Sequence, residues 1–399
     1  MFSLDAIWAV IKRHTRAITI WAISAIILSV IGWGVSDFLS TQKKEAEIAS
    51  RQQKYVAVIM STTDESFTLP TEFMTGFGSK QQVTDPSSRI RTQDNEMVQI
   101  RYSDDNYSVA GARRLAQKLV ADKNCVMIIG NSNSELTGVT LNEILESKDP
   151  PALIMPIATV NNLTSIATDA SYRAILRMVP NNKDQALQIK SFIASRAPRQ
   201  RIVMLVDEQN TDYSNDLSSD IGAKVRENGG VIVLQKSYGN NSRLVDYVGF
   251  IKHAKADFLI FVGVSDNGLL LIDDLAANNL SLPVIFTDGG TVNALIKRSA
   301  ELPVDTYFLS AVGNSSDTTE PTYKPIGADA YTLLVNIISG AKSNTRESIR
   351  AHIEYDKNSI VVTGGQAGDY KFNEEGENVA LHFKIYRNNH GSLQLMTGY

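Results

Sequence analysis

The sequence predicts an α/β protein whose body forms two similar, doubly wound lobes behind an amino-terminal hydrophobic segment. Short apolar runs such as CVMIIG, RIVMLV and FLIFVG recur along the body, and segments with helical spacing such as AGARRLAQKLVAD separate them. Continuous apolar strands that alternate with amphipathic helices are typical of parallel sheets covered on both faces. The runs number about nine, which is more than one sheet usually holds. The pattern also restarts near residues 181–183, so we expect two lobes.

The amino-terminal hydrophobic segment predicts a membrane anchor. Residues 17–35 read AITIWAISAIILSVIGWGV, an uncharged run of about the length that crosses a bilayer. Lys12, Arg13 and Arg16 lie directly before this run. The positive-inside rule therefore keeps residues 1–16 in the cytoplasm and exports the body of the chain.

These features give the expected topology of the amino-terminal part. We expect one transmembrane helix over residues 17–36 and a polar stalk over residues 37–54, so that the protein is a single-pass membrane protein with an extracytoplasmic body. A cleaved signal peptide is the alternative. Its apolar core is usually shorter, and no clear small-x-small cleavage site follows the run.

Composition and motifs exclude several function classes. The chain has 399 residues, is 43% hydrophobic and carries a net charge of −4 without a basic stripe, so nucleic acid is not an expected partner. Its only cysteine, Cys125, begins an apolar run and is expected to be a buried small hydrophobe. The five histidines lack metal-ligand spacing, and neither a nucleophile elbow nor a P-loop is present. We therefore expect no metal, no cofactor and no enzymatic activity.

Two regions depart from the regular alternation. Residues 78–95 are polar and lack periodicity, which predicts an exposed loop. Residues 361–396 contain the alternating segment ALHFKIYR and two turn signals, Glu375 with Gly376 and His390 with Gly391. This pattern predicts antiparallel hairpins at the edge of a sheet.

Two strand ends provide the first candidates for ligand contact. The run CVMIIG ends at Gly130 and is followed by NSNS, and the run ALIMP ends at Pro156 and is followed by IAT. Open α/β sheets bind ligands just beyond the carboxyl ends of their strands. Ser134 and Thr159 are therefore the first candidates.

The sequence around Ser134 also predicts a helix start. Ser132 and Glu135 have the spacing of an S-x-x-E capping box, which places Ser134 in the first helical turn. The hydroxyl and backbone N–H of Ser134 would then face outward at the positive end of the helix dipole, where anions bind. The alternative is a helix cap without a ligand.

The order of these segments resembles a known family. The stretches VAVIMS, EFMTGF, VQIRYSDDN, VMIIGNSNS, IMPIATVNNLT, YRAILRMVPNNKDQ, RIVMLVDEQNTDYS, ADFLIFVG and GGQAGDYKFNEEGENVALHFKIY follow one another as in the type I periplasmic binding proteins. The resemblance is closest to the branched-chain amino-acid receptors of ABC transporters and covers nearly the whole exported part. It implies two lobes, joined by a hinge of three crossing strands, that close on a small ligand.

The resemblance also implies domain boundaries and partners. The first lobe is expected to take residues 55–179 and 313–362, and the second lobe residues 180–312 and 363–399. The expected partners are a small amino-acid-like or carboxylate ligand and an ABC permease that reads the closed form.

The resemblance implies four ligand-binding residues at matching positions and a fifth candidate one position away, next to Gly289. Ser134 corresponds to the serine that binds the α-carboxylate, Thr159 to a threonine that contacts the same group, and the carbonyl of Ile157 to an ammonium acceptor. Tyr213 falls where a second-lobe tyrosine covers the ligand, and Asp288 lies one position before the usual carboxylate. Each residue also has an interpretation without a ligand. Thr159 can belong to a strand-to-loop turn, Tyr213 can be an exposed tyrosine at a helix start, and Asp288 can be a turn residue in TDGG.

The chain departs from the family pattern at two places. Leu69 stands where an aromatic residue often closes the pocket, and Val264 and Ser265 replace aromatics of the second lobe. The resemblance therefore implies a ligand whose size differs from that of leucine. A second hypothesis is a regulator or sensor of the cell envelope that binds another protein through the same fold.

Overall fold

The computed structural model describes Trp8 and the ranges 53–62, 68–84, 87–196, 199–312 and 323–399. The predicted membrane helix over residues 17–36 and nearly all of the stalk lie outside these residues. Among the helices that are described, none is both long enough and apolar enough to cross a bilayer. Lys54–Tyr399 form one compact unit.

Six strands form the first sheet, in the order β2-β3-β1-β4-β5-β6. All neighbouring strands are parallel except β2, which runs antiparallel to β3. The strands are β1 (Tyr55–Ile59), β2 (Arg89–Arg91), β3 (Met97–Ser103), β4 (Cys125–Ile129), β5 (Ala152–Met155) and β6 (Ile175–Arg177). The helices that connect these strands are α1 (Thr68–Thr84), α2 (Val109–Ala121), α3 (Ser134–Leu145) and α4 (Leu163–Asp169).

Seven strands form the second sheet, in the order β13-β12-β11-β10-β9-β7-β8. They are β7 (Arg201–Asp207), β8 (Val231–Tyr238), β9 (Phe258–Val262), β10 (Val284–Phe286), β11 (Thr306–Ser310), β12 (Lys384–Asn389) and β13 (Ser392–Leu395). The accompanying helices are α5 (Asn182–Ala194), α6 (Thr211–Glu227), α7 (Val248–Ala254), α8 (Ser265–Ala277) and α9 (Asn293–Ser299). Two more helices follow later in the described part of the chain, α10 (Lys324–Gly340) and α11 (Arg346–Tyr355).

The central strands are buried on both faces. Every residue of β1, β4, β5 and β9 is buried, because helices cover both sides of each sheet. A strand with two buried faces needs apolar residues at every position, which explains the continuous runs in the sequence. The prediction of two doubly wound α/β lobes is confirmed.

Helices α10 and α11 return to the first sheet, and we group them with it as the first lobe. The backbones of α1 and α10 touch: a Cβ added at Gly76 would lie 1.8 Å from the Lys324 carbonyl oxygen, and one added at Gly327 would lie 2.0 Å from that of Phe73. Glycine is required at both positions. The second lobe consists of the second sheet with α5 to α9.

The loop predicted for residues 78–95 is wrong. Helix α1 extends to Thr84, and strand β2 follows at Arg89–Arg91. The inward face of the helix is formed by Phe73, Phe77 and Gln81, which are four residues apart. The third inward position is polar, so the helical period is not visible in the sequence beyond Phe77.

The tail forms one of the predicted hairpins at the edge of a sheet. Strands β12 and β13 are antiparallel, with His390 and Gly391 at the turn, and β12 pairs with β11 at the edge of the second sheet. The other turn lies against β6 of the first sheet, where the Arg177 amide donates to the Gly376 carbonyl (2.8 Å). Gly376 has a φ of 85°, and a Cβ there would lie 2.0 Å from the Ile175 carbonyl oxygen.

Candidate functional site

A small cavity of about 20 Å³ lies between the lobes, where strands of both sheets end. The structure brings all five sequence-predicted residues to its wall: Ser134, Ile157 and Thr159 from the first lobe, and Tyr213 and Asp288 from the second. The remaining lining residues are Leu69, Ser132, Asn133, Asn210, Val264, Gly289 and Tyr323.

Helix α3 places Ser134 in its first turn, but the predicted capping box is wrong. Asn133 is the N-cap, and its side-chain oxygen accepts a hydrogen bond from the Leu136 amide (2.8 Å). Asparagine is among the best N-cap residues, so it takes the position expected for Ser132. The Ser132 hydroxyl instead bonds to that of Ser61 (2.6 Å).

The Ser134 hydroxyl faces the neighbouring strand end rather than solvent. Its Oγ accepts hydrogen bonds from the backbone amides of Thr159 (3.1 Å) and Val160 (3.3 Å). These contacts join the turn after β4 to residues 157–161, which we call the cleft loop. In the described part of the chain, nothing donates to the Ile157 carbonyl and nothing pairs with the Thr159 hydroxyl. Both groups are therefore available to a ligand.

A buried polar cluster supports the first-lobe wall from behind. Asp105 is fully buried and accepts hydrogen bonds from the Ser61 hydroxyl (2.5 Å) and the Asn131 side-chain amide (2.8 Å). Because Ser61 also contacts Ser132, the cluster fixes a residue that lines the cavity. Sequence reasoning missed this cluster, since its members come from three separate strand ends.

Asp288 is the centre of the second-lobe wall. Its Oδ1 accepts from the Tyr213 hydroxyl (2.6 Å) and the Gln185 side-chain amide (2.7 Å), and its Oδ2 accepts from the Tyr323 hydroxyl (2.9 Å). Asp288 opens a short 3₁₀ turn after β10, and this turn aims its side chain into the cleft. Sequence reasoning missed Gln185 and Tyr323, which lie 103 and 35 residues away from Asp288 along the chain, respectively.

Burial shapes the electrostatics of this wall. Burial raises the pKa of Asp288, while the hydrogen bonds from Tyr213, Tyr323 and Gln185 oppose that rise. Burial and the nearby Asp288 carboxylate raise the pKa of both tyrosines well above the usual value, so both phenols stay protonated and act as donors. The described lining contains one carboxyl group and no basic side chain. It therefore suits a positively charged group near Asp288.

Direct hydrogen bonds also join the two lobes around the cavity. The Tyr323 contact with Asp288 is one of them. Asn161 of the cleft loop donates its amide to Asp216 (3.1 Å) and its side chain to Asp220 (2.6 Å), both on α6. Across another part of the boundary, the Asn293 amide donates to Glu72 (3.2 Å). The lobes are thus held together by their own side chains.

Comparison with known proteins identifies the family. A model of the family described as periplasmic binding protein matches residues 92–355, more than half of the chain. The chain belongs to the periplasmic binding protein family. Its members bind solutes rather than catalyse reactions, in agreement with the expectation that this chain is not an enzyme. A search of curated proteins found no match.

Solved structures share the fold. The leucine-binding protein LivK from Thermotoga maritima is 18% identical, with a TM-score of 0.72 and coverage of 86% of this chain and 98% of that one. LivJ from Streptococcus pneumoniae in complex with isoleucine is 15% identical, with a TM-score of 0.71 and coverage of 87% and 100%. A solute-binding protein from R. palustris in complex with benzoate is 16% identical, with a TM-score of 0.70 and coverage of 86% and 95%.

Proposed function

We propose that this periplasmic binding protein is an extracytoplasmic receptor that recognises a small amino-acid-like ligand by closing its lobes and passes it to an ABC permease. One observation carries the proposal. The two hydroxyl-bearing turns of the first lobe and the buried carboxyl of the second lobe face the same cavity. An amino acid carries one anionic and one cationic group, which fits this pair of walls.

Each wall has a role in the proposed complex. The Ser134 and Thr159 hydroxyls, with the amino terminus of α3, would bind the carboxylate of the ligand. The Ile157 carbonyl and the Asp288 carboxylate would bind its ammonium group, which Tyr213 covers. The ligand shifts the equilibrium toward the closed form only by binding that form more tightly than the open one.

We also propose that the body is tethered to the membrane. The support is the uncharged run over residues 17–35 with basic residues before it, which favours a helix whose following residues are exported. The family is that of the periplasmic binding proteins, and a periplasmic body is in keeping with this orientation.

The experiment is a thermal-shift and calorimetric panel of the L-amino acids and small carboxylates, benzoate included, on the full-length chain. A ligand at a concentration of about 100 times its Kd stabilises the folded form by about 2.7 kcal/mol. We expect at least one amino acid to raise the melting temperature. The absence of a response across the panel would refute the receptor proposal.

A second candidate is an envelope regulator that binds another protein through the same fold. The direct hydrogen bonds between the lobes favour it, because they close the cleft without a ligand. No response to the panel, together with capture of a purified cell-wall enzyme by the chain, would support the regulator.

A further inference from the structure

The first lobe contains a fully buried arginine directly beneath the cleft loop. Arg177 is the last residue of β6, and none of its surface is exposed. One terminal nitrogen, Nη1, donates to the carbonyls of Ala158 (3.1 Å) and Val160 (2.7 Å), and Nη2 donates to that of Asn161 (3.4 Å). The guanidinium therefore binds three of the five carbonyls of the cleft loop.

Several other polar groups of the loop backbone also have partners. The Thr159 carbonyl accepts from the Asn182 amide (2.8 Å), and the amides of Thr159 and Val160 donate to Ser134. Buried backbone groups need partners, so these bonds fix the course of the chain between residues 158 and 161. Among the residues that the structure describes, none donates to the carbonyl of Ile157, and Ile157 lines the cavity.

Arg177 is paired with an acid from a distant part of the chain. Its Nη2 lies 3.2 Å from the Glu377 carboxylate, which also accepts a hydrogen bond from Thr164. Glu377 follows the turn at Gly376 and precedes the last passage of the chain into the second lobe. The ion pair thus connects the cleft loop with a segment that leads from one lobe to the other.

We propose that Arg177 is a positioning residue of the ligand site, which holds the cleft loop so that the Ile157 carbonyl and the Thr159 hydroxyl face the ligand. The inference rests on the proposed receptor function. Arg177 itself does not touch the cavity and acts through the loop.

The chemistry of arginine fits this role. Its planar guanidinium presents five donors in a fixed fork, so it can bind several carbonyls and a carboxylate at the same time. The ammonium group of lysine has three donors on a flexible stem and cannot reproduce that spacing. Lysine keeps the charge beside Glu377, so Arg177→Lys tests geometry rather than charge.

The chain supplies a matched control in a second buried arginine of the same lobe. Arg346 donates to the carbonyls of Leu119 (3.0 Å), Val120 (3.0 Å), Asp122 (2.7 Å) and Cys125 (2.7 Å). Cys125 begins β4, whereas the cavity lies beyond the other end of that strand. Arg346→Lys therefore disturbs a similar set of carbonyls far from the cleft.

The test compares R177K and R346K in the full-length chain, each measured well below its own melting temperature. The ligand is the amino acid of the panel that binds the wild type most tightly. We expect both variants to melt earlier, but only R177K to lose affinity, by about tenfold or more. Unchanged affinity in R177K would overturn the inference, and so would an equal loss in R346K.

Hydrogen–deuterium exchange separates this inference from the receptor proposal. In R177K, we expect faster exchange in peptides covering residues 157–164, and in R346K in peptides covering residues 119–125. If no amino acid binds the wild type, the receptor proposal fails, and the exchange data still decide whether Arg177 orders the loop. If residues 157–164 exchange as slowly in R177K as in the wild type, the inference is overturned, and this measurement needs no ligand.

Discussion

The two walls of the cleft are built in different ways. The first-lobe wall consists of consecutive strand ends, β4 followed by Ser134 and β5 followed by Thr159, and it offers hydroxyls and backbone groups. The second-lobe wall gathers Gln185, Tyr213 and Asp288 from three separate elements around one buried carboxyl. The hydroxyls of the first wall suit an anion, whereas the carboxyl of the second wall suits a cation. A zwitterionic ligand needs both.

The largest expected effect is at the first-lobe wall. Ser134→Ala combined with Thr159→Ala removes both hydroxyls, and we expect affinity for the best-binding amino acid to fall about a hundredfold or more. Removal of the Ser134 hydroxyl also leaves two buried amides without an acceptor, which costs about 1–3 kcal/mol for each amide. Calorimetry and urea unfolding measure the two effects separately.

The matched control for this variant is Ser299→Ala. Ser299 is a buried serine of the second lobe whose hydroxyl donates to the Ile296 carbonyl and accepts from Asn388. We expect it to lose stability and keep its affinity. If the double variant binds as tightly as the control does, the first-lobe wall is not the carboxylate site.

Asp288→Asn tests the charge of the second-lobe wall. We expect affinity for amino acids to fall about thirtyfold, because the ammonium group loses its counter-charge, while binding of benzoate is weakened far less. In the wild type, burial raises the pKa of Asp288, so this carboxyl is protonated at a higher pH than an exposed aspartate. Affinity should therefore fall as the pH is lowered through that raised pKa, and the variant should lose this dependence.

Asp274→Asn is the control for the second-lobe wall. Asp274 is a buried aspartate of the same lobe that accepts from Tyr238 (2.9 Å) and pairs with Arg243, away from the cleft. It should leave both the affinity and its pH dependence unchanged. Equal losses for amino acids and benzoate in Asp288→Asn would contradict an ammonium site.

The smallest expected effect concerns the bond between the walls. Tyr323→Phe removes the hydroxyl that joins the first lobe to Asp288, and we expect the ratio of open to closed molecules to rise about tenfold without a ligand. Small-angle X-ray scattering would detect the larger radius of gyration. The control is Tyr238→Phe, which removes a hydroxyl that is hydrogen-bonded within the second lobe and should leave the radius of gyration unchanged. An unchanged radius in Tyr323→Phe would show that this bond does not hold the cleft closed.

Much of the fold was predictable because local patterns specify it. Strands with two buried faces need continuous apolar residues, so β4, β7 and β9 stand out in the sequence, and the turn of the β12–β13 hairpin is marked by His390 and Gly391. Helix α1 was missed beyond Phe77 because its next inward residue is Gln81. The helix cap was misassigned because Ser132 and Asn133 are both good caps and only their backbone geometry distinguishes them.

The sequence by itself determined the two layered sheets and the strand ends at which Ser134 and Thr159 emerge, because period and turn chemistry are local properties. Only the tertiary structure decided the partners of Asp288, the arginine beneath the cleft loop and the bonds between the lobes. These contacts join residues that are distant in the chain, and their strength depends on the burial of charge. Neither distance in space nor burial can be read from the order of residues alone.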